Sequence, residues 1–352
     1  MTATESSHNR PAAKEGVLAR VALAFTGWAE RWFPDAYIFA ALAVILVSAA
    51  ALINGAPPQA VAKSFGDGFW ALITFTMQMA FVAISGYVVA SSPPAARLIR
   101  GLASIPRSGP GAIAFVAAVS MLSSLLNWGL SLIFSGLLVR ALARRDGLTM
   151  DYRAAGAAAY LGLGATWALG LSSSAAQLQS NPASLPPKLL QITGVIPFTE
   201  TIFLWQSMLI CAILLAVSTA VSWLSAPAEA HAVTARKLGV EVQTEEPPLP
   251  PRERPSEWLE YSPLITVLLG ALSLGWIWQE FASKSALVAI SGLNTYNFTF
   301  LTLGLLLHWR PRSYLNAVAK AVPATAGVLI QFPLYLDDHG PVPGTVQLHE
   351  HH

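Results

Sequence analysis

The sequence predicts an all-α, polytopic transmembrane helix bundle, and three observations carry that prediction. Hydrophobic residues make up 54% of the 352 positions and charged residues only 11%, against about 25% charged in ordinary soluble domains. Apolar runs recur whose length approaches the roughly 20 residues of helix that span a hydrocarbon core. The charges fall between those runs, where a chain facing lipid can tolerate them. The mean hydropathy, +0.53, agrees.

Taken in order, residues 1–35 carry Arg10, Lys14, Arg20 and Arg31 around a weakly apolar stretch, Val17 to Trp28. No small-residue cleavage site precedes Trp32, so a cytoplasmic amphipathic helix at the interface is expected rather than a cleaved signal. Expected spans are Ala36 to Ile53, Phe69 to Ala90, Thr201 to Leu224, Pro263 to Trp278, Ala286 to Leu307 and a shorter run from Ala317 to Leu336. Ala154 to about Gly170 is expected to cross as well.

Gly111 to Val139 is about one and a half spans long and is interrupted at Asn127-Trp128-Gly129. Basic residues flank it on both sides: Arg97, Arg100 and Arg107 before, Arg140, Arg144, Arg145 and Arg153 after. Because loops rich in Lys and Arg stay cytoplasmic, a single crossing would strand one cluster outside, whereas a re-entrant hairpin keeps both inside. The Pro- and Glu-rich stretch from Ala226 to Arg254 is expected to be a flexible linker. The expected organisation is therefore a first membrane half, 36–225, a cytoplasmic linker, 226–257, a partial second half, 258–336, and a polar, disordered tail, 337–352. It amounts to about eight membrane segments with one hairpin.

Polar or broken backbone within a bilayer is costly unless it lines a cavity or is buried in protein, so the breaks are the places to look for a substrate site. The first break holds Ser123, Ser124, Asn127, Trp128, Gly129 and Ser131; a helix restarting there would present amide N–H groups to a carboxylate. The second runs from Gly162 to Ser174, with Thr166, Trp167, Gly170, Ser172, Ser173 and Ser174, and is followed by Gln177, Gln179, Ser180 and Asn181. Ser124, Asn127 and Gly129 at the first break and Ser172, Ser173 and Ser174 at the second are the expected carboxylate ligands. Close packing of small residues is the alternative for the first break, and an ordinary span followed by a loop for the second.

A third polar set comprises Asn294, Asn297 and Thr299, with Gln331 and Pro333 further on, and is expected to consist of interfacial helix caps. Gln78 is expected to hydrogen-bond between helices, and Asp67 to cap the helix that follows it. His339, His349, His351 and His352 have no spacing that defines a metal geometry.

The formal net charge of +2 is small and scattered, which gives no concentrated face for nucleic acid. A single cysteine, Cys211, leaves no intrachain disulfide or cysteine metal cluster. The phosphate-binding loop, nucleophile-elbow and zinc-peptidase motifs are missing. No cofactor and no metal are implied; the bilayer and a small solute are the expected partners, with a homodimer left open.

Several strings together resemble the bacterial short-chain fatty acid transporter family, from about Trp32 to Tyr335. They are Trp32-Phe33-Pro34-Asp35, Gly66-Asp67-Gly68-Phe69-Trp70, Met77-Gln78-Met79-Ala80, Ala90-Ser91-Ser92, Asn127-Trp128-Gly129, Gly304-Leu305-Leu306-Leu307-His308 and Gln331-Phe332-Pro333. The resemblance implies a secondary carrier, not an enzyme, taking up acids such as acetoacetate or butyrate across a bacterial inner membrane. It also implies distant kinship with carboxylate carriers built from two inverted repeats with re-entrant hairpins. The family pattern would continue after Tyr335 with further spans, whereas here Leu336-Asp337-Asp338-His339-Gly340-Pro341 follows. A frameshifted or truncated, incomplete inverted-repeat carrier with impaired transport is the expectation that follows. A carrier of another organic anion, or a membrane-embedded acyl-handling enzyme, are the alternatives; the latter needs a nucleophile or base at membrane depth, and none is evident.

Overall fold

The computed structural model describes residues 17–182, 185, 187–242 and 249–335, and within them every regular element is helical. The polar tail and the C-terminal histidines lie outside the described residues, as do residues 1–16.

The expected interfacial segment forms α1, Val17–Trp32, and is followed by α2, Ala36–Ile53. Asp35 starts α2 by accepting the Tyr37 N–H at 2.8 Å, as an N-cap carboxylate should. The expected span from Phe69 to Ala90 is broken at Leu72 into α3, Pro58–Ala71, and α4, Ile73–Ala90. That turn buries Leu72 with Phe75, Met79, Leu293 and Tyr296 while Trp70 stays on the surface. Asp67 is not a cap: it lies inside α3 and pairs with Lys63 one turn earlier, exposed.

Next come α5, Pro93–Ala103, then α6, Gly109–Ser124, and α7, Trp128–Ala143. Ser92 and Ser108 cap α5 and α6, and each helix carries Pro in its first turn, where the missing N–H is harmless. The stretch around Asn127 is thus a helical hairpin, with Ser131 Oγ of α7 donating to the Ser120 carbonyl of α6 at 2.7 Å.

The segment expected to cross from Ala154 is a regular helix only through α8, Tyr152–Ala159. A π turn at Gly162–Thr166, a 3₁₀ turn at Trp167–Leu169 and an extended Gly170 follow, before the short helices α9, Ser174–Ser180, and α10, Pro187–Thr193. The later apolar span is α11, Trp205–Leu224. The beginning of the polar linker is fastened to α8: Asp151 caps that helix through the Ala154 N–H and also accepts the Val233 N–H, each at 2.9 Å.

Beyond the linker, α12, Glu257–Tyr261, leads into α13, Leu264–Ser283. The span expected from Ala286 is divided at Gly292, in extended backbone, into α14, Ala286–Ser291, and α15, Leu293–His308. The last apolar run is divided too. It comprises α16, Pro311–Ala321, a 3₁₀ turn at Val322–Thr325, and α17, Ala326–Gln331. Pro323, which has no N–H to continue an α-helix, sits in that turn.

Among the described residues, six helical stretches are long and apolar enough to cross a membrane: Ala36–Ile53, Ile73–Ala90, Tyr152–Ser180, Trp205–Leu224, Leu264–Ser283 and Pro311–Leu334. Only 11%, 6% and 11% of α2, α11 and α13 is buried against protein, compared with 67% of α4. Three faces of Leu, Ile, Val and Trp that lie open along whole helices demand an apolar solvent, which a bilayer supplies. α4 is the central pillar, packed on α7 and on α15. One order of elements also occurs twice: an exposed span, a shorter helix, a helix packed into the bundle, then an eleven-residue helix with Pro in its first turn. It covers α2 to α5 and again α13 to α16.

Glycine sets how closely α4 and α7 approach. A Cβ on Gly86 would stand 2.3 Å from Asn127 Oδ1 and from the Leu130 nitrogen, and one on Gly129 would stand 2.9 Å from the Ala83 Cα. Gly86→Ala is therefore expected to lower unfolding stability in detergent by about 1–3 kcal/mol, the usual cost of overpacking. Gly136→Ala on the same α7, where a Cβ meets nothing within 4 Å, should be neutral or slightly stabilising. Chemical unfolding followed by tryptophan fluorescence checks both.

Candidate functional site

Both breaks foreseen in the sequence come together. Ser123 and Ser124 end α6, Leu125 and Leu126 turn, and Asn127 in extended backbone caps α7 by accepting the Leu130 N–H at 2.9 Å. Against that turn lies the second break. Leu171 N–H donates to the Leu125 carbonyl at 2.8 Å, and Trp128 N–H, the first of α7, donates to Ser172 Oγ at 2.9 Å. The Thr166 and Ser124 hydroxyls meet at 2.8 Å. Gly170 permits the approach, since a Cβ there would stand 2.5 Å from the Leu125 Cα.

A second polar layer lies one turn away from the hairpin tip. Ser120 Oγ donates to the Ala159 carbonyl at 2.6 Å, where α8 ends, and accepts the Gly162 N–H at 3.0 Å where the π turn begins. The irregular backbone of the second break is thereby matched to hydroxyls of α6, as unsatisfied groups away from water would each cost several kcal/mol.

Of the expected ligands, Ser124, Asn127 and Ser172 are fully buried, Ser173 nearly so, and Gly129 is buried at the crossing with α4. Ser173 caps α9 through the Ala176 N–H at 3.3 Å, and Ser174 is half-buried in the first turn of that helix. Ser124 and Ser172 therefore bond across the contact between the breaks, Asn127 and Ser173 cap the helices that leave it, and Gly129 serves it by letting α7 close on α4, whereas Ser174 enters none of the hydrogen bonds described there.

Tyr296 and Gln177 extend the cluster, and Asn127 ties it to α4. Tyr296 of α15, fully buried, donates its hydroxyl to the Leu126 carbonyl at 2.6 Å, beside the side chains of Asn127 and Ser172. Asn127 Nδ2 donates to the Val82 carbonyl of α4 at 3.2 Å. Gln177, fully buried in α9, donates from Nε2 to the Leu171 carbonyl, while its Oε1 has no hydrogen-bond partner among the described residues. Tyr296 is the residue that the sequence reading missed; its place between Thr295 and Asn297, in a polar string entering a span, was the available signal.

That third string is not a set of interfacial caps. Asn297 lies buried within α15 and donates to the Gln78 carbonyl at 2.8 Å, while Gln78 Nε2 donates to Asn294 Oδ1 at 2.9 Å. Thr299 bonds back to the Thr295 carbonyl of its own helix. Gln78 is the interhelical link expected of it, joining α4 to α15 across the two halves of the chain. No carboxylate, guanidinium, ammonium or imidazole enters the hydrogen bonds described around the breaks, and among the described residues no group of His, Cys, Asp and Glu could hold a metal.

No solved structure matches the chain. A family model described as short chain fatty acid transporter matches residues 17–340. A protein of Escherichia coli (strain K12), provisionally named a short-chain fatty acid transporter, is 33% identical over 321 residues, covering 91% of this chain and 71% of that protein. A protein of Haemophilus influenzae with the same provisional name is 28% identical over 326 residues, covering 91% and 72%. With paired helix breaks inside an apolar bundle and a family match along nearly its whole length, this chain belongs to the short-chain fatty acid transporter family.

Proposed function

We propose that the chain is a secondary carrier that moves a small monocarboxylate, such as butyrate or acetoacetate, across a bacterial inner membrane by alternating access. The observation that carries this reading is the mutual docking of two broken helices in the middle of the bundle. Discontinuous helices are where carriers hold their solutes, because unwound backbone and helix N-termini offer donors that a continuous helix keeps for itself. Here Trp128 N–H and Leu171 N–H are such donors, and each is answered across the contact by Ser172 Oγ or the Leu125 carbonyl. When the second break moves away from the hairpin tip, a carboxylate takes over as acceptor for the amides of α7, with Ser124, Asn127, Gly129 and the Ser172–Ser174 string around it.

Charge supports a monoanion. With no guanidinium or ammonium bonded to the breaks among the described residues, the site relies on amides, hydroxyls and the positive end of α7, which suit one negative charge better than two. Gln177 Oε1, buried and without a hydrogen-bond partner among the described residues, is an acceptor that water or the O–H of an undissociated acid can satisfy. The repeated order of elements, α2 to α5 and α13 to α16, supports a repeat-built carrier of which the linker joins two halves. None of these groups is a nucleophile activated by a base, so transport rather than chemistry is the role they fit.

Labelled butyrate uptake into vesicles containing the chain tests this. Asn127→Ala should reduce uptake about tenfold or more, the equivalent of roughly 1.4 kcal/mol from one lost hydrogen-bonding group; unchanged kinetics would remove Asn127 from the site. Tyr296→Phe removes the bond that holds the hairpin turn without touching the proposed solute. It should lower the maximal rate severalfold while leaving the KM within about twofold, and a KM effect alone would make Tyr296 a ligand instead.

A further inference from the structure

A second site, separate from the transport reading and not dependent on it, lies at the basic end of the hairpin. Between α5 and the C-terminal half of α7 runs a cleft of about 400 Å³. Ile99 of α5 and Leu137 and Ala141 of α7 line it, together with Arg100, Arg144 and Arg145. Leu137, Ala141, Arg144 and Arg145 follow one another at helical spacing, so a single face of α7 and its C-terminal turn passes from apolar to basic.

This is the layout of a phospholipid rather than of a soluble anion. The apolar stretch runs along the bundle toward the hairpin tip and has room for the start of an acyl chain, and three guanidinium groups gather where a phosphate would sit. Arg144 and Arg145 also line an adjoining polar cavity of about 550 Å³, together with Asp146. Leu98 and Ile105, on and just after α5, are more than half exposed beside Arg97 and Arg107, which is the mixture of apolar and basic groups found at a bilayer's headgroup level. Arg145 is fixed in place, since its Nη1 donates to the carbonyls of Ala103 and Pro106 at the end of α5. The site therefore also ties α5 to the hairpin.

We infer that the cleft between α5 and α7 binds the phosphate headgroup of an anionic phospholipid through Arg100, Arg144 and Arg145, with an acyl chain lying along Leu137 and Ala141. The bound lipid holds the amphipathic helix α5 against the hairpin on the cytoplasmic side of the bundle.

The test is a titration of the purified full chain, in neutral detergent, with phosphatidylglycerol, phosphatidylcholine or inorganic phosphate, following thermal unfolding by tryptophan fluorescence. Phosphatidylglycerol should raise the unfolding temperature saturably, and the other two should not. The double variant Arg100→Gln/Arg144→Gln should need about 25-fold more lipid for the same shift, about fivefold for each arginine; Arg145 is kept because it holds α5. Ala141→Leu fills the apolar part and leaves every arginine in place, so it should weaken binding at least severalfold. Arg140→Gln, which removes an exposed charge of α7 outside the cleft, should change it by less than about twofold. An equal shift with phosphatidylcholine, a full shift with inorganic phosphate alone, or an Arg140→Gln loss as large as that of the double variant would each overturn the inference. Unaltered binding in Ala141→Leu would do the same.

Discussion

Backbone that leaves the α-helix inside a bundle immersed in lipid has no water to bond to, and in this protein two of the places where it does so, the hairpin turn at 125–127 and the stretch at 160–173, satisfy each other. The Leu171 N–H on the Leu125 carbonyl and the Trp128 N–H on Ser172 Oγ are the bonds by which each break completes the other. Each unanswered group would cost several kcal/mol in such surroundings. Neither break is therefore stable alone, and the rest of the bundle is arranged to keep them together. Ser120 and Ser131 close the hairpin below them, Gly129 and Gly86 bring α4 against it, and Tyr296 reaches the turn from the second half of the chain.

That arrangement gives the polar residues of the two halves a common purpose. Gln78, Asn294 and Asn297 fasten α4 to α15, and Tyr296 lies one helical position before Asn297, so a shift of α15 against α4 is passed directly to the hairpin turn. The proposed carrier mechanism needs such a link, since a solute that prefers one arrangement of the breaks can only favour it to the extent that the surrounding helices follow. Small residues at the crossings allow the helices to lie close, and the hydroxyls and amides limit the ways in which they can pair.

Much of this was legible in the amino-acid sequence because hydrophobic length and charge placement are direct consequences of the bilayer. Ala36 to Ile53 is a helix with the expected bounds, and the arginines on both sides of Asn127 were enough to choose a hairpin over a straight crossing. Periodicity was less informative within the apolar runs, where every residue looks alike. The turns at Leu72 and Gly292 depend on which side chains are buried by packing against Tyr296 and its neighbours, and no local pattern marks them. Asp67 illustrates the same limit, because an acidic residue ahead of a span resembles a cap until the helix around it is seen to begin at Pro58. The pairing of the breaks, Thr166 with Ser124 and Ser172 with Trp128, joins residues more than forty positions apart and could only come from the fold.

The most direct test of the account is amide hydrogen exchange, measured residue by residue on the full chain in a lipid nanodisc, with and without butyrate. The account predicts slow exchange at Trp128 and Leu171 despite their irregular backbone, and a change on adding butyrate that is concentrated in residues 125–131 and 170–174. Exchange at those two amides as fast as in the linker, or a butyrate effect confined to other segments, would contradict it.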